Sequence, residues 1–457
     1  MIDNKNIKLT KHKQEILTGS FSLTSSNQRK YDRTTYMVKY MTHNKAYKHV
    51  LEKDTGVDEN ELLNTFRNKY ENYRHNWHAQ PKECISNLNF GPDLLKAGHY
   101  PLCIDIETAA ICDLACPFCF RESLATPDKI ISIKLFRKIV DQAVDMGVPS
   151  IKLNWRGEPL IHPKLYQMIE YAKQKGILET IINTNATHLS PKISRRLIES
   201  GLDFMIYSFD GGTKETYEKM RPGRFKNNNF DHVYQNIVNF SNIREQMNAK
   251  FPSTKIQMIL TEDSYTEQES FYSLFKDFVD EVTVTQYAER GGNIEDLNNT
   301  EKAQYADLCN KLSLPEGTPY MRDANGNISV SSSRLPCEQP YQRMLVTYDG
   351  RVAMCCNDWG AMHPIGYVAD NSFFDEDADK RLVLDKVKEN KRGFELMQEV
   401  SLPPKFNKPV KKVETLSQIW TGKEVEKVRC AHGSGNVEKV NICKKCTFKD
   451  TYNWVES

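Results

Sequence analysis

The stretch Cys112-Asp-Leu-Ala-Cys116-Pro-Phe-Cys119-Phe120 holds three thiols in a C-x3-C-x2-C spacing, directly after a strand-like run from Tyr100 to Glu107. Thiolates this close together can wrap one face of an iron–sulfur cubane or supply three ligands to zinc. The two options differ in what is left over. Three cysteines leave one iron of a four-iron cluster open to a small chelating molecule, whereas zinc needs a fourth ligand or a water. Of the twelve cysteines, Cys84, Cys103 and Cys309 are scattered, and six gather late in the chain: Cys337, Cys355, Cys356, Cys430, Cys443 and Cys446. The first residues, Met1-Ile-Asp-Asn-Lys-Asn, lack the apolar segment of a secretory signal. Many cysteines without such a signal point to metal or redox chemistry in the cytoplasm, not to a disulfide framework.

At 457 residues the chain is long enough for roughly two or three domains. Lys and Arg number 62 against 60 Asp and Glu, a net charge of +2, so no global field selects nucleic acid or an anionic membrane. No apolar run reaches the length of about 18 residues needed to span a bilayer.

The elements that must position the thiols are legible as an alternation. Strands are expected at Leu102 to Glu107, Ser150 to Trp155, Glu179 to Thr184, Phe204 to Phe209, Lys255 to Leu260 and Glu281 to Gln286. Helices are expected between them at Ile133 to Met146, Pro163 to Lys175, Pro191 to Ser200, Phe230 to Arg244 and Glu267 to Val279. Such strand–helix repeats predict an α/β fold with a parallel sheet, open or curled into a partial barrel, with its chemistry at the carboxyl ends of the strands. The cysteine loop follows the first strand and falls on that face. Before it, residues 1–98 read as a mostly helical extension. Arg33 to His43 alternates like a strand, and Asp58 to His78 reads as a helix with Asp58 at the N-cap and an apolar stripe of Leu62, Phe66, Tyr70 and Tyr73. That stripe is expected to pack on the main domain, with a lid or partner-binding role as the alternative. A core domain over 99–300 gives way, after Gly291-Gly292, to a linker and a small cysteine-rich domain over 301–457. There Asp349-Gly350 predicts a hairpin turn.

The triplet, with Phe118 just before its last cysteine and placed after the first strand of the series, resembles the radical S-adenosylmethionine (radical SAM) superfamily. That resemblance implies a partial (β/α)6 TIM-like barrel. It also implies that Cys112, Cys116 and Cys119 hold a catalytic [4Fe-4S] cluster whose open iron is chelated by S-adenosylmethionine. Reductive cleavage of the cofactor then yields a 5'-deoxyadenosyl radical that abstracts a substrate hydrogen, with a flavodoxin- or ferredoxin-type reductant. Further positions match family contacts to the cofactor. Arg156-Gly157-Glu158-Pro159 is similar to the family's Gly-Gly-Glu-Pro motif, with Arg156 in place of the first glycine. Asn183 and Asn185 close the third strand and Ser208 and Asp210 the fourth, near the expected ribose and carboxylate. Arg221 matches a carboxylate-binding arginine, and Gln257, Met258 and Gln286 are further candidates for the adenine or the substrate. Taken singly, these residues also fit helix-entry turns, caps and strand ends.

The late cysteines resemble the SPASM and twitch class of radical SAM extensions. The resemblance implies one auxiliary [4Fe-4S] cluster held by Cys337, Cys355, Cys443 and Cys446, since no cysteine follows Cys446. A zinc knuckle on the same four residues is the alternative. Cys356 is expected to point away from its neighbour along a strand. Cys430, beside His432, is open between ligand, hydrogen-atom donor and buried thiol. The expected reaction is a net oxidation (dehydrogenation) or a rearrangement; a saturated auxiliary cluster favours electron transfer, and so dehydrogenation or peptide cross-linking over a redox-neutral isomerisation. The expected substrate is a small metabolite such as a sugar or aminoglycoside-like compound, because residues 1–98 lack the strand-rich pattern of a winged-helix leader-binding module. The alternatives are a maturase acting on a ribosomally made peptide and, in another class, a non-catalytic iron–sulfur or zinc protein.

Overall fold

The computed structural model describes residues 9–10, 20–23, 32–53, 56–119, 128–261, 263–286, 320–322, 328–330, 337–358, 361, 363–369 and 412–444. Two short strands, β1 (Leu9–Thr10) and β2 (Ser20–Leu23), pair antiparallel. The run expected as a strand from Arg33 is instead helix α1 (Arg33–Lys39), followed by a 3-10 turn at Met41–His43. Its start supplies the reason: Asp32 accepts a hydrogen bond from Thr35 N at 2.6 Å, an N-cap. Tyr36, Met37, Tyr40 and Met41 then share one helical face, a period that tertiary packing rewards over alternation. Helix α2 (Lys45–Lys53) leads to α3 (Glu59–Ser86), which Asp58 caps as expected but which runs on past His78 and through Pro81. Its stripe of Leu62, Phe66, Tyr70 and Tyr73 is buried with Met37, Met41 and Tyr47 against Leu102, Leu178 and Phe251.

The alternating region forms β3 (Cys103–Ile106), α4 (Ile133–Asp145), β4 (Ser150–Lys152), α5 (Leu165–Gln174), β5 (Glu179–Thr184), α6 (Pro191–Ser200) and β6 (Phe204–Ser208). It continues with α7 (Lys214–Met220), α8 (Phe230–Gln246), β7 (Ser253–Leu260), α9 (Gln268–Phe275) and β8 (Glu281–Gln286). Strands β3 to β8 lie side by side in chain order, all parallel, as a partial (β/α)6 barrel. Strand β7 shows the two faces. Ile256, Met258 and Leu260 are buried under the helices, while Lys255, Gln257 and Ile259 are half-buried on the inner side. Met258 therefore belongs to the helix-packed core and not to the lumen.

Leu102, Leu178 and Phe251 precede β3, β5 and β7, so the N-terminal helices close the amino end of the barrel. Glu179, the first residue of β5, is fully buried there and accepts from Arg33 Nε at 2.6 Å, Tyr70 Oη at 3.0 Å and Tyr73 Oη at 3.1 Å. Asn44 reaches Asp203, just before β6, at 2.7 Å. The extension is a plug at the end opposite the cysteine loop.

After the hairpin of β9 (Tyr320–Arg322) and β10 (Ile328–Val330) come α10 (Gln339–Gln342), β11 (Arg343–Val346), β12 (Arg351–Ala353) and β13 (Pro364–Tyr367). The turn expected at Asp349-Gly350 joins β11 to β12, with Gly350 at φ 84°, a conformation that favours glycine. Strand β11 also pairs parallel with β3, so the hairpin extends the barrel sheet at the edge β3 would otherwise leave open. Short helices α11 (Leu416–Trp420), α12 (Lys423–Gly433) and α13 (Asn441–Lys444) complete this part. The boundary expected after Gly291-Gly292 lies outside the described residues. Among the described residues no helix is long and apolar enough to cross a membrane.

Candidate active site

The cysteine loop leaves β3 at the carboxyl end of the sheet and is pinned by the turn that follows α7. Ala115 N donates to Pro222 O at 2.9 Å, Arg224 N donates to Asp113 O at 2.7 Å, and Leu114 bridges Gly223. Within the loop Cys119 N donates to Cys116 O at 2.9 Å. Cys116 is buried, and Cys112, Phe118 and Cys119 are half-buried. Burial pushes the Cys116 thiol up to about 12, against the opposing pull of the Arg221 guanidinium. Among the described residues no three His, Cys, Asp or Glu side chains converge on a single-ion site.

The turn after β4 packs directly under that loop. Gly157 has φ +71°, and a Cβ there would stand 2.4 Å from Ile111 O and 2.5 Å from Ala109 O. Only glycine allows the two backbones to approach this closely. Glu158 N donates to Ile111 O at 2.8 Å, and Pro159 opens a 3-10 turn that Glu158 caps through Leu160 N at 3.0 Å. The Glu158 carboxylate is buried and spent inside the protein: it also accepts from Thr184 Oγ1 and Asn185 N, both at 2.7 Å. Burial, reinforced by Asp113, pushes it up to about 7 despite these donors. Its work is to brace the end of β4 against the end of β5, with Gly157 the half-buried member of an otherwise buried turn. Arg156, at the position where the family has glycine, is buried and forms a forked ion pair with Glu107, at 2.6 and 2.9 Å.

Asn185 links this turn to the cysteines. Its Nδ2 donates to Asp113 Oδ1 at 2.9 Å and lies 4.0 Å from Cys112 Sγ. Asp113, between the first two cysteines, also accepts from Thr187 Oγ1 at 2.6 Å and pairs with His188 at 3.2 Å. Burial opposes its ionisation, yet His188, Thr187 and Asn185 together hold its carboxyl well below the usual range. Sequence reasoning missed Asp113, Thr187 and His188; the only signal was an acid inside the cysteine loop. Asn183 N is held by Asn154, and the buried Asn183 Oδ1 has no hydrogen-bond partner in the structure.

At the end of β6, Ser208 is half-buried opposite Gln257. Asp210 is fully buried, accepts from Ile259 N at 2.6 Å and pairs with Arg221 Nη2 at 2.5 Å. Arg221 sits 5.8 Å from the centre of the Phe118 ring, and its charge is felt at Cys116. Its Nε is buried with no hydrogen-bond partner. A buried guanidinium Nε beside Cys116 and a buried amide oxygen at Asn183, both without a hydrogen-bond partner, fit the needs of an amino-acid cofactor lying next to the loop. Arg221→Lys is expected to weaken S-adenosylmethionine binding by about 10- to 100-fold, since a fork is replaced by a point charge and a charged hydrogen bond contributes about 1.5–3 kcal/mol. Equilibrium binding to the reconstituted protein checks this; unchanged affinity would remove Arg221 from the site.

The late cysteines fall into two environments. Cys355 packs with Met354, Ile365, Val428, Val437, Ile442 and Cys443, whereas Cys356 lies with Trp155 against Leu345, Ala353 and Ala361. The two neighbours pack in different surroundings, but they lie in the turn beyond the end of β12 and not on a strand, so the alternation expected there does not apply. Cys337 is buried just ahead of α10. Cys446 lies outside the described residues. Cys430 is exposed, on the wall of a cavity of about 590 Å³ beside Met354 and Ile442. Cys84 and Cys103 are core thiols that burial pushes up to about 12 and about 11.

Residues 106–241 match the family model described as the radical SAM superfamily. The chain therefore contains a radical SAM domain. Residues 337–376 match the SPASM model, an iron–sulfur cluster-binding domain, so the protein carries an auxiliary-cluster domain beside a catalytic one and uses [4Fe-4S] clusters and S-adenosylmethionine. Among curated proteins it is 24% identical over 207 residues to the mycofactocin maturase of Mycolicibacterium smegmatis, covering 45% of this chain and 50% of that protein. It is 30% identical over 129 residues to the AdoMet-dependent heme synthase of Methanosarcina barkeri, covering 28% of this chain and 36% of that one. The chain thus spans half or less of the length of these relatives. Among solved structures, SuiB of Streptococcus suis bound to the precursor peptide SuiA aligns with a TM-score of 0.45 and 16% identity, over 80% of this chain and 85% of that one.

Proposed function

We propose that the protein carries out a net oxidation at an unactivated C–H bond, with Cys112, Cys116 and Cys119 holding the catalytic cluster and Cys337, Cys355, Cys443 and Cys446 the auxiliary one. When bound, these groups supply one-electron cleavage of S-adenosylmethionine, hydrogen-atom removal from the substrate, and an acceptor for the electron left behind. The chain's own part is to position and enclose. Arg221, the Gly157 turn, Asn183, Asn185 and Ser208 hold the cofactor against the loop, and Asp210, Asp113 and Glu158 hold those residues in place.

One observation carries the oxidative reading. Trp155, which immediately precedes the Arg156–Pro159 turn, donates from Nε1 to Cys356 O at 2.8 Å, next to Cys355. On the other side of the turn Glu107, paired with Arg156, accepts from Tyr348 N at 3.3 Å in the β11–β12 hairpin. Cofactor turn and cysteine hairpin are one braced unit, an arrangement suited to passing an electron and not needed by two independent clusters. The reading includes a flavodoxin- or ferredoxin-type reductant, a cytoplasmic setting that keeps thiols reduced, and a division into 1–98, 99–300 and 301–457.

For the substrate, a ribosomally made peptide comes first, because mycofactocin maturases are matched over more than 200 residues and recur among the relatives. A small metabolite such as a sugar is the second reading, favoured by the polar inner face of the barrel, where Ser208, Gln257, Lys255 and Glu281 stand. Anaerobic reconstitution should give about eight irons per chain from two four-iron clusters. With dithionite and S-adenosylmethionine, peptide and small-molecule fractions of a cell extract are then compared for stimulation of 5'-deoxyadenosine formation and a product lighter by two hydrogens. A zinc-only preparation, or stimulation with a product of unchanged mass, would defeat the oxidative reading.

A further inference from the structure

His432 ends helix α12 and is buried to 1% exposure, with Nε2 3.3 Å from Cys443 Sγ. The sulfur lies in an apolar shell of Met354, Val428, Val437 and Ile442 that Cys355 also touches. In so dry a setting a hydrogen bond to sulfur acts at low effective dielectric and is correspondingly strong. The imidazole is held in its place. Arg429, one turn earlier, is fully buried and donates to Trp420 O at 2.6 Å, Pro340 O at 2.9 Å and Phe90 O at 3.1 Å, while its guanidinium stacks on Trp420 at 4.0 Å. Tyr341 Oη returns a bond to Arg429 O at 2.8 Å. Helix α12 is thereby fixed to α10, the helix that follows Cys337, on one side and to Cys443 on the other.

Resting on the reading that Cys443 is an auxiliary-cluster ligand, we propose that His432 donates its Nε2–H to the Cys443 sulfur and sets the reduction potential of the auxiliary cluster. A ligand sulfur gains negative charge when the cluster takes up one electron. A fixed N–H aimed at it stabilises the reduced form and raises the potential. His432 is in this sense a positioning residue that acts through Cys443, without touching substrate or S-adenosylmethionine.

The test is an EPR-monitored redox titration of the full-length, anaerobically reconstituted protein. His432→Leu removes the donor, and His432→Gln keeps an N–H of similar reach. The auxiliary midpoint is expected to move to more negative values in His432→Leu and to stay near the parent value in His432→Gln, while 5'-deoxyadenosine formation is unchanged in both. Parent midpoints in both variants would overturn the proposal, as would loss of the auxiliary signal from both, which would make His432 a structural or ligating residue. Cys443→Ala separates the two levels. Retention of the auxiliary signal there defeats the ligand reading itself, whereas its loss together with an unmoved potential in His432→Leu defeats the tuning role alone.

Discussion

Cys116→Ala is expected to abolish 5'-deoxyadenosine formation in the presence of dithionite and S-adenosylmethionine, with the loss of about four irons per chain. Cys443→Ala is expected to retain at least part of that cleavage while losing product turnover. The contrast follows from where the two thiols sit. Cys116 is the buried cysteine of its loop, within the electrostatic reach of Arg221 and Asp210, so its sulfur shares the surroundings of the Arg221 guanidinium. Two remaining thiols cannot hold a cluster that already lacks a fourth protein donor. Cys443 belongs to the other cysteine group, behind the hairpin that Trp155 braces. Removing it leaves the first centre intact and the electron without its exit. Cleavage that survives in Cys116→Ala would sink the assignment of the triplet. Full product turnover in Cys443→Ala would instead sink the electron-acceptor role.

Arg33→Met is expected to cost about 3–5 kcal/mol of stability, the usual penalty for leaving a buried charge without its partner. Glu179 has no exposed surface, and after the substitution Tyr70 and Tyr73 would be left to donate to it among the described residues. Replacing both partners, Arg33→Met with Glu179→Met, should recover much of the loss, because the desolvation cost disappears with the charges. The pH dependence has a definite sign. Burial opposes the charge on Glu179, but Arg33, joined by Arg74 and the Tyr70 hydroxyl, outweighs it and lowers the folded value below the ordinary 4.5. Stability from the pair is fully present above 4.5 and is lost as the pH falls from there through the lowered folded value. Urea unfolding between neutral and acid pH measures both effects. An unchanged midpoint in the single variant would show that the plug is dispensable, and 5'-deoxyadenosine formation by the folded fraction should be unaffected, since Glu179 begins β5 and the cysteines lie beyond the other end of the sheet.

The sequence by itself determined the strand–helix alternation, the cysteine spacing and the strand-end residues, because each depends on local period, turn chemistry or ligand spacing. Glu179–Thr184 and Pro191–Ser200 form where they were expected, one through the β-branched run Thr180-Ile181-Ile182 and the other through Ser190 and Pro191 at its start. Three things waited for tertiary structure. Arg33–Lys39 reads as alternating until its aromatic face meets the amino end of the barrel, and packing then decides for helix. Glu158 reads as a ligand-facing acid until Thr184 and Asn185, far along the chain, use up its carboxylate. The auxiliary hairpin reads as part of a separate domain until β11 pairs with β3 and Trp155 bonds to Cys356. In each case the deciding partner is distant in sequence. The C-x3-C-x2-C loop announces a metal centre from its spacing alone, but only the fold shows that Arg221, Asn185 and Gly157 gather around it and that the second cysteine group is braced to the same turn.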